Sequence, residues 1–120
     1  MLLLTSPSDQ LQVITGAAAA VDIHASWVDI TPSTSAILAG RLNTALTLAT
    51  TVSVAGSPAS STQRNVKALH VRNKDVAVTC PVTLQVVDGT GTYPFFVVSL
   101  PPDTMVEVTD MGGIRVLGGI

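Results

Sequence analysis

Apolar and polar residues alternate with a period of two along most of this chain. The alternation is strict from position 21 to position 27, where the apolar residues are Val21, Ile23, Ala25 and Trp27. This pattern is typical of a β-strand with one face on the core, because successive side chains point to opposite faces. It also predicts that Trp27 is an anchor of the core.

Similar patterns predict further short strands with turns between them. The strands are Gln10–Thr15, Val21–Trp27, Thr44–Val54 as one long or two short strands, Arg64–Asn73, Val76–Cys80, Val82–Val87, Tyr93–Leu100, Met105–Thr109 and Ile114–Leu117. The turns are Ser6–Asp9, Thr31–Ser35, Asn73–Asp75, Asp88–Gly91, Pro101–Asp103 and Met111–Gly113. Pro81 cannot donate to a strand ladder and predicts an edge or a bulge. No helix is expected around Ile37–Leu42, because Gly40 interrupts it and a Thr-rich run follows.

These elements predict an all-β fold, an antiparallel β-sandwich of roughly seven to nine short strands, immunoglobulin-like or jelly-roll-like. A chain of 120 residues is long enough for one domain with one core. We therefore expect a single domain over residues 1–120, with an apolar N-terminal arm over residues 1–9. Segment 56–62 has little bulky apolar surface, which predicts a loop or an arm ordered against a neighbour.

The composition indicates that part of the domain's surface is buried against another molecule. Charged residues make up only 12% of the sequence, against about 25% in typical soluble domains, and hydrophobic residues make up 47%. No stretch approaches the roughly 20 consecutive apolar residues of a membrane-spanning helix. Met1–Leu4 is too short and lacks the basic flank of a signal peptide. Burial against other protein subunits is the expected explanation, without a membrane.

Charge and cysteine content exclude further classes of function. The net charge is −2, and the six basic residues are scattered along the chain, so no nucleic-acid partner is expected. Cys80 is the single cysteine, which excludes an intrachain disulfide and a multi-cysteine zinc site. Its apolar surroundings in the sequence predict a buried small hydrophobe.

One group of residues has the side-chain types of a hydrolytic triad, namely Asp22, His24 and Ser26. On one strand they would point in parallel from positions about 6 to 7 Å apart, too far for a hydrogen-bonded relay. Asp22 and His24 also supply only two ligands, where a zinc site needs three or four. We therefore expect no enzyme activity, no catalytic residue, no metal and no cofactor.

Five segments together resemble a group of small all-β structural proteins encoded among the virion genes of tailed bacteriophages. They are Thr5–Val13, Val21–Trp27, Ser61–Val66, Val82–Gln85 and Asp88–Thr90. The shared motifs are strand and turn patterns, so no functional residue is carried over. The resemblance implies a virion component: a decoration or cement protein on the capsid shell, or part of a tail fibre, spike or adaptor.

The functional expectation is a non-enzymatic structural component of a tailed-phage virion, assembled in the host cytoplasm. The first choice is a capsid decoration (cement) protein that stabilises the shell through subunit interfaces. Its partners would be its own copies, as a dimer or trimer, and other virion proteins, above all the major capsid protein. The alternatives are a tail fibre, spike or adaptor module and, with few aromatic residues to support it, a carbohydrate-binding module.

The expected interface residues lie in two segments. Apolar ends and Gly/Ser/Thr-rich connections suit a protein whose surface is mostly interface. The chosen residues are Leu2, Leu3, Leu4, Pro58, Ser60, Ser61, Thr62 and Gln63.

Overall fold

A computed structural model describes residues 2–110 and 113–118 of the chain. In those residues the backbone forms two packed antiparallel sheets and no helix, which confirms the predicted antiparallel β-sandwich, with ten strands where the sequence predicted seven to nine. The strands are β1 (Leu2–Leu4), β2 (Gln10–Thr15), β3 (Val21–Thr31), β4 (Ala36–Leu46), β5 (Thr50–Ala55), β6 (Gln63–Asn73), β7 (Cys80–Val87), β8 (Thr92–Leu100), β9 (Thr104–Thr109) and β10 (Gly113–Gly118).

The first sheet, called sheet A, has the strand order β10-β9-β6-β3-β4, and β1 also pairs with β6. β9 covers one edge of β6 from Ala68 to Asn73, and β1 covers the same edge from Arg64 to Val66. The second sheet, called sheet B, has the order β5-β2-β7-β8. Sheet A therefore ends in β4 on one side and β10 on the other, and sheet B ends in β5 and β8.

The core lies between the two sheets and follows the two-residue period of the sequence. Val21, Ile23 and Ala25 of β3 are buried, as the pattern predicts, and they face buried residues of sheet B such as Val13 and Leu84. Complete burial of a valine, leucine or isoleucine side chain stabilises the fold by about 1.5–3 kcal/mol. Trp27 does not reach the interior, because it is only partly buried and packs at the margin of the core.

Several strand bounds differ from the sequence-based prediction, and β3 continues to Thr31, four residues beyond its predicted end at Trp27. β4 begins at Ala36, whereas the predicted strand began at Thr44. β4 ends at Leu46, and residues 47–49 form a bend before β5. The predicted strand Val76–Cys80 is wrong, since residues 74–79 form a loop and β7 begins at Cys80. The carboxylate of Asp75 accepts the N–H groups of Ala77 and Val78, so these groups cannot join a ladder.

Pro81 lies in an interior strand instead of at an edge or a bulge. β7 is paired with β2 on one side and β8 on the other. The ladder with β2 begins one residue later, at Val82, so the missing N–H of Pro81 breaks no hydrogen bond with that strand. The carbonyl of Pro81 accepts the N–H of Gly16 at 2.8 Å. Of the predicted turn Met111–Gly113, residues 111 and 112 lie outside the described residues.

Candidate interface surfaces

The N-terminal segment that the sequence offers as an interface is part of sheet A. Leu2, Leu3 and Leu4 pair with Val66, Asn65 and Arg64 of β6. Leu4 is completely buried in the core, Leu2 packs against the core, and Leu3 is 50% exposed. The assignment of this segment to an interface stays a prediction. Leu3 is the side chain of the three that is half exposed and accessible to a partner.

The second predicted segment divides into anchored and free residues. Pro58 and Thr62 are buried, whereas Ser60, Ser61 and Gln63 are exposed. Ser61 has a positive φ of 61°, and a bond from the Thr62 N–H to the Ala59 carbonyl closes the turn. The loop is therefore fixed by its two buried residues and presents the others to solvent.

This loop and two other segments line a shallow depression of about 310 Å³. Its walls are Thr5, Pro32, Ser33, Ser61, Thr62 and Gln63. The hydroxyls of Thr31 and Thr62 lie 3.3 Å apart and link the β3–β4 turn to the loop. Three of the predicted interface residues thus share one surface with the β3–β4 turn, which the sequence-based list did not include.

The largest apolar exposure on strands is on β4, for which no interface residue was predicted. Ile37 is 72% exposed and Leu38 is 70% exposed. Ile37 lies opposite Ile30 on the outer face of sheet A, and Leu38 lies opposite Asp29 on the inner face. The sequence contained a usable signal, since the run from Ala36 to Gly40 is apolar without alternation.

β10, at the other end of sheet A, is also exposed on both faces. Ile114, Val116 and Leu117 are between 38% and 46% exposed. Ile114 and Val116 face the same side as the buried Val108 and Val106, where sheet B does not cover them. The two ends of sheet A therefore offer separate apolar surfaces.

A cluster of side chains from β3 and β6, namely Trp27, Asp29 and Arg64, lies at the margin of the core beside β4. The indole of Trp27 lies over Gly40, so closely that a Cβ at this position would be 2.5 Å from the indole Nε1. The Arg64 guanidinium lies 4.6 Å from the centre of the Trp27 ring, a cation–π contact. Arg64 also donates two hydrogen bonds to Asp29, at 2.8 and 2.9 Å, and one to the carbonyl of Gly56.

A polar row crosses the outer face of sheet A. Glu107 accepts a hydrogen bond from Arg115 at 2.6 Å and lies 3.4 Å from His70. His70 stacks on His24 with ring centres 6.1 Å apart, and His24 contacts Asn43 of β4. The hydrogen bond and charge of Arg115, with a smaller contribution from His70, hold the pKa of Glu107 below its ordinary value.

The three residues with triad chemistry have other contacts. Asp22 forms an ion pair with Lys74 at 3.1 Å, and His24 contacts Asn43 and His70. Neither contact orients a histidine toward Ser26. Among the described residues, no three His, Cys, Asp or Glu side chains are placed to hold a metal ion. Cys80 is buried, as predicted.

Five of the six basic side chains form ion pairs across the surface. The pairs are Arg64–Asp29, Lys67–Asp110, Arg72–Asp103, Lys74–Asp22 and Arg115–Glu107. Within the described residues, Arg41 on β4 is the basic side chain outside this set. The positive charge is therefore largely compensated and does not form a stripe for phosphates.

Comparison with protein-family models, curated proteins and solved structures found no match to this chain. Over residues 2–110 and 113–118 there is also no helix with the length and apolar character needed to cross a membrane.

Proposed function

We propose that this protein is a structural subunit of a tailed-phage virion, and that it acts as a capsid decoration protein. The observation that carries the proposal is the apolar exposure at both ends of sheet A, on β4 and on β10. Two separate surfaces allow one subunit to contact two neighbours, as a protein that links parts of a shell must do. The resemblance of the sequence to tailed-phage structural proteins supports the tailed-phage virion as the assembly to which the subunit belongs.

In this proposal β10 and the adjacent margin of the sandwich contact the capsid shell. β10 exposes Val116 and Ile114 on a face that sheet B leaves open, so a shell subunit could bury both residues. Burial of apolar area is the main favourable term in protein association. The Arg115–Glu107 ion pair lies on the opposite face of β10, so burial of the Val116 face leaves that charged pair in water.

The test is decoration of purified shells that lack the protein. The chain should saturate the shells at many copies per particle, measured by quantitative gel analysis and cryo-electron microscopy. Val116→Lys should weaken shell binding on the order of 10-fold, because it places an ammonium group in the apolar contact. The matched control is Val76→Lys in the 74–79 loop, where the side chain is 94% exposed and no loss is expected.

Two outcomes would contradict the decoration role. A handful of copies per particle, with density at the tail, would make the protein a fibre, spike or adaptor module. Specific glycan binding that is lost in Tyr93→Ala would make it a carbohydrate-binding module, since Tyr93 is the half-exposed aromatic residue on β8.

A further inference from the structure

β4 is the least protected of the four sheet edges. Native proteins protect edges with proline, short strands, bulges or charge, because a free row of N–H and C=O groups pairs readily with another strand. β8 carries Pro94, and β5 and β10 have six residues each. β4 has eleven residues, no proline and a single charged side chain, Arg41, and its pairing with β3 has no register shift.

The N-terminal half of β4 carries apolar side chains on both faces. The run Ala36–Gly40 is apolar throughout, with Ile37 on the outer face and Leu38 on the inner face. Uninterrupted apolar runs are typical of strands that are buried on both faces. At about 3.4 Å per residue, β4 extends about 37 Å, along a molecule whose longest dimension is 49 Å. A surface of this length is sufficient for a continuous ladder with a second strand.

We propose that β4 pairs antiparallel with β4 of a second copy of this chain, so that sheet A continues across a two-fold axis. The inference deepens the proposed function, because it names the contact between decoration subunits. Most soluble homo-oligomers are closed and symmetric, and the two-fold dimer is the commonest form. An antiparallel β4 pair satisfies the free backbone groups of both strands without any other protein.

The sequence of β4 favours one register, centred on Gly40. This register pairs Ala36–Thr44 of one strand with the same residues of the other and places Leu38 opposite Leu42 of the second copy. Arg41 then lies opposite Ala39 of the second copy. A register centred on Arg41 would place two guanidinium groups directly opposite each other, which is unfavourable.

The same register brings aromatic residues to the two-fold axis. In each copy the Trp27 indole lies over its own Gly40 on the inner face. Two Gly40 residues that face each other across a strand pair have Cα atoms about 4.5–5.5 Å apart, so the two indoles would come into contact. Trp27 is the single tryptophan of the chain, and its emission would therefore report the contact directly.

The experiment measures association of the full chain by light scattering after size exclusion, together with tryptophan emission, over a range of protein concentrations. We expect a dimer whose formation changes the Trp27 emission. Leu38→Lys should raise the dimer dissociation constant on the order of 100-fold, because both symmetric contacts lose an apolar partner and gain a charge. The control is Leu48→Lys, since Leu48 is 67% exposed but lies outside β4, and no change is expected.

A second variant tests the register and guards against a fold defect in the first. Leu38→Lys/Leu42→Glu places opposite charges across the axis twice and should recover most of the lost affinity. A monomer at every concentration, a trimer or open chain from β4–β10 pairing, a dimer insensitive to Leu38→Lys, or no recovery in the double variant would overturn the proposal. Shell decoration by a monomer would reject the dimer alone, and a dimer that ignores shells would reject the decoration role alone.

Discussion

The two apolar runs that border sheet A, Leu2–Leu4 of β1 and Ala36–Gly40 of β4, have similar sequences and opposite environments. β1 pairs with the N-terminal half of β6 and buries Leu4 completely. Among the described residues, β4 pairs with β3 alone and leaves Leu38 70% exposed. An apolar run therefore contributes to folding where the described chain covers it, and stays exposed where no described residue does.

The largest effect on stability is expected from Leu4→Ala. The change removes a completely buried leucine, and it should lower the free energy of unfolding by about 3 kcal/mol through lost burial and the cavity that remains. Urea unfolding followed by far-ultraviolet circular dichroism would measure it. The control is Leu3→Ala, which should change stability by less than about 0.5 kcal/mol, because Leu3 is half exposed. Equal losses in the two variants would contradict the placement of β1.

Two asparagines, the buried Asn73 and the exposed Asn43, extend the comparison to polar side chains, with an intermediate expected effect on stability. Buried Asn73 donates to the carbonyls of Val78 and Leu100 at 2.8 and 2.9 Å and accepts the N–H of Asp75. Asn73→Ala leaves these groups without their partner and should lower the free energy of unfolding by about 2 kcal/mol.

Asn43→Ala is the matched control for this change, because Asn43 is exposed on the edge strand and its side chain contacts the partly exposed His24. Its effect on unfolding should be within about 0.5 kcal/mol. Thermal unfolding of both variants tests the pair, and a larger loss in the β4 variant would reverse the comparison.

The smallest effect concerns Asp75 and depends on pH. Backbone N–H groups of Ala77, Ala20 and Val78 donate to its carboxylate and hold its pKa below the ordinary value of 3.8. A lowered pKa in the folded state means that the stabilisation is complete above the unfolded-state pKa and is lost as the pH falls through the folded-state pKa. Asp75→Ala should therefore be less stable than the native chain at pH 7, and the difference should shrink below pH 3.8.

Urea unfolding at pH 7 and at successively lower pH would measure this difference. Ile37→Ala on β4 serves as the reference, because Ile37 lies opposite Ile30 and β4 contains no acidic residue, so the effect of this change should not vary with acid. A constant difference between Asp75→Ala and the native chain down to low pH would show that the carboxylate does not act through its hydrogen bonds.

Individual residues show which predictions could be made from sequence and which could not. The alternation in Val21–Ala25 and in Leu69–Val71 correctly identified buried positions, since the pleat of a strand is a local property. The same rule placed Trp27 in the core, where it is only partly buried, because it cannot show where the opposing sheet ends. It also predicted a strand at Val76–Cys80, where the hydrogen bonds of Asp75 hold a loop.

The predicted interface residues also divide into what the sequence indicated and what only the fold showed. Sequence selected Ser61, Thr62 and Gln63 from composition, and only the fold brought them together with Pro32 and Ser33 around one depression. The apolar run Ala36–Gly40 was a usable signal, but β4 was not selected from it. The sequence could not show which residue packs against β4. The structure shows that the Trp27 indole packs over Gly40.

The sequence by itself determined the all-β class, the sandwich, most strand positions and the low charge of the surface, because alternation, turn residues and composition are local or additive. The tertiary structure alone decided that β1 is covered and β4 is an edge. That choice depends on strand pairing between residues far apart in the chain, such as Leu2 with Val66, and no local pattern specifies which strand receives a second neighbour.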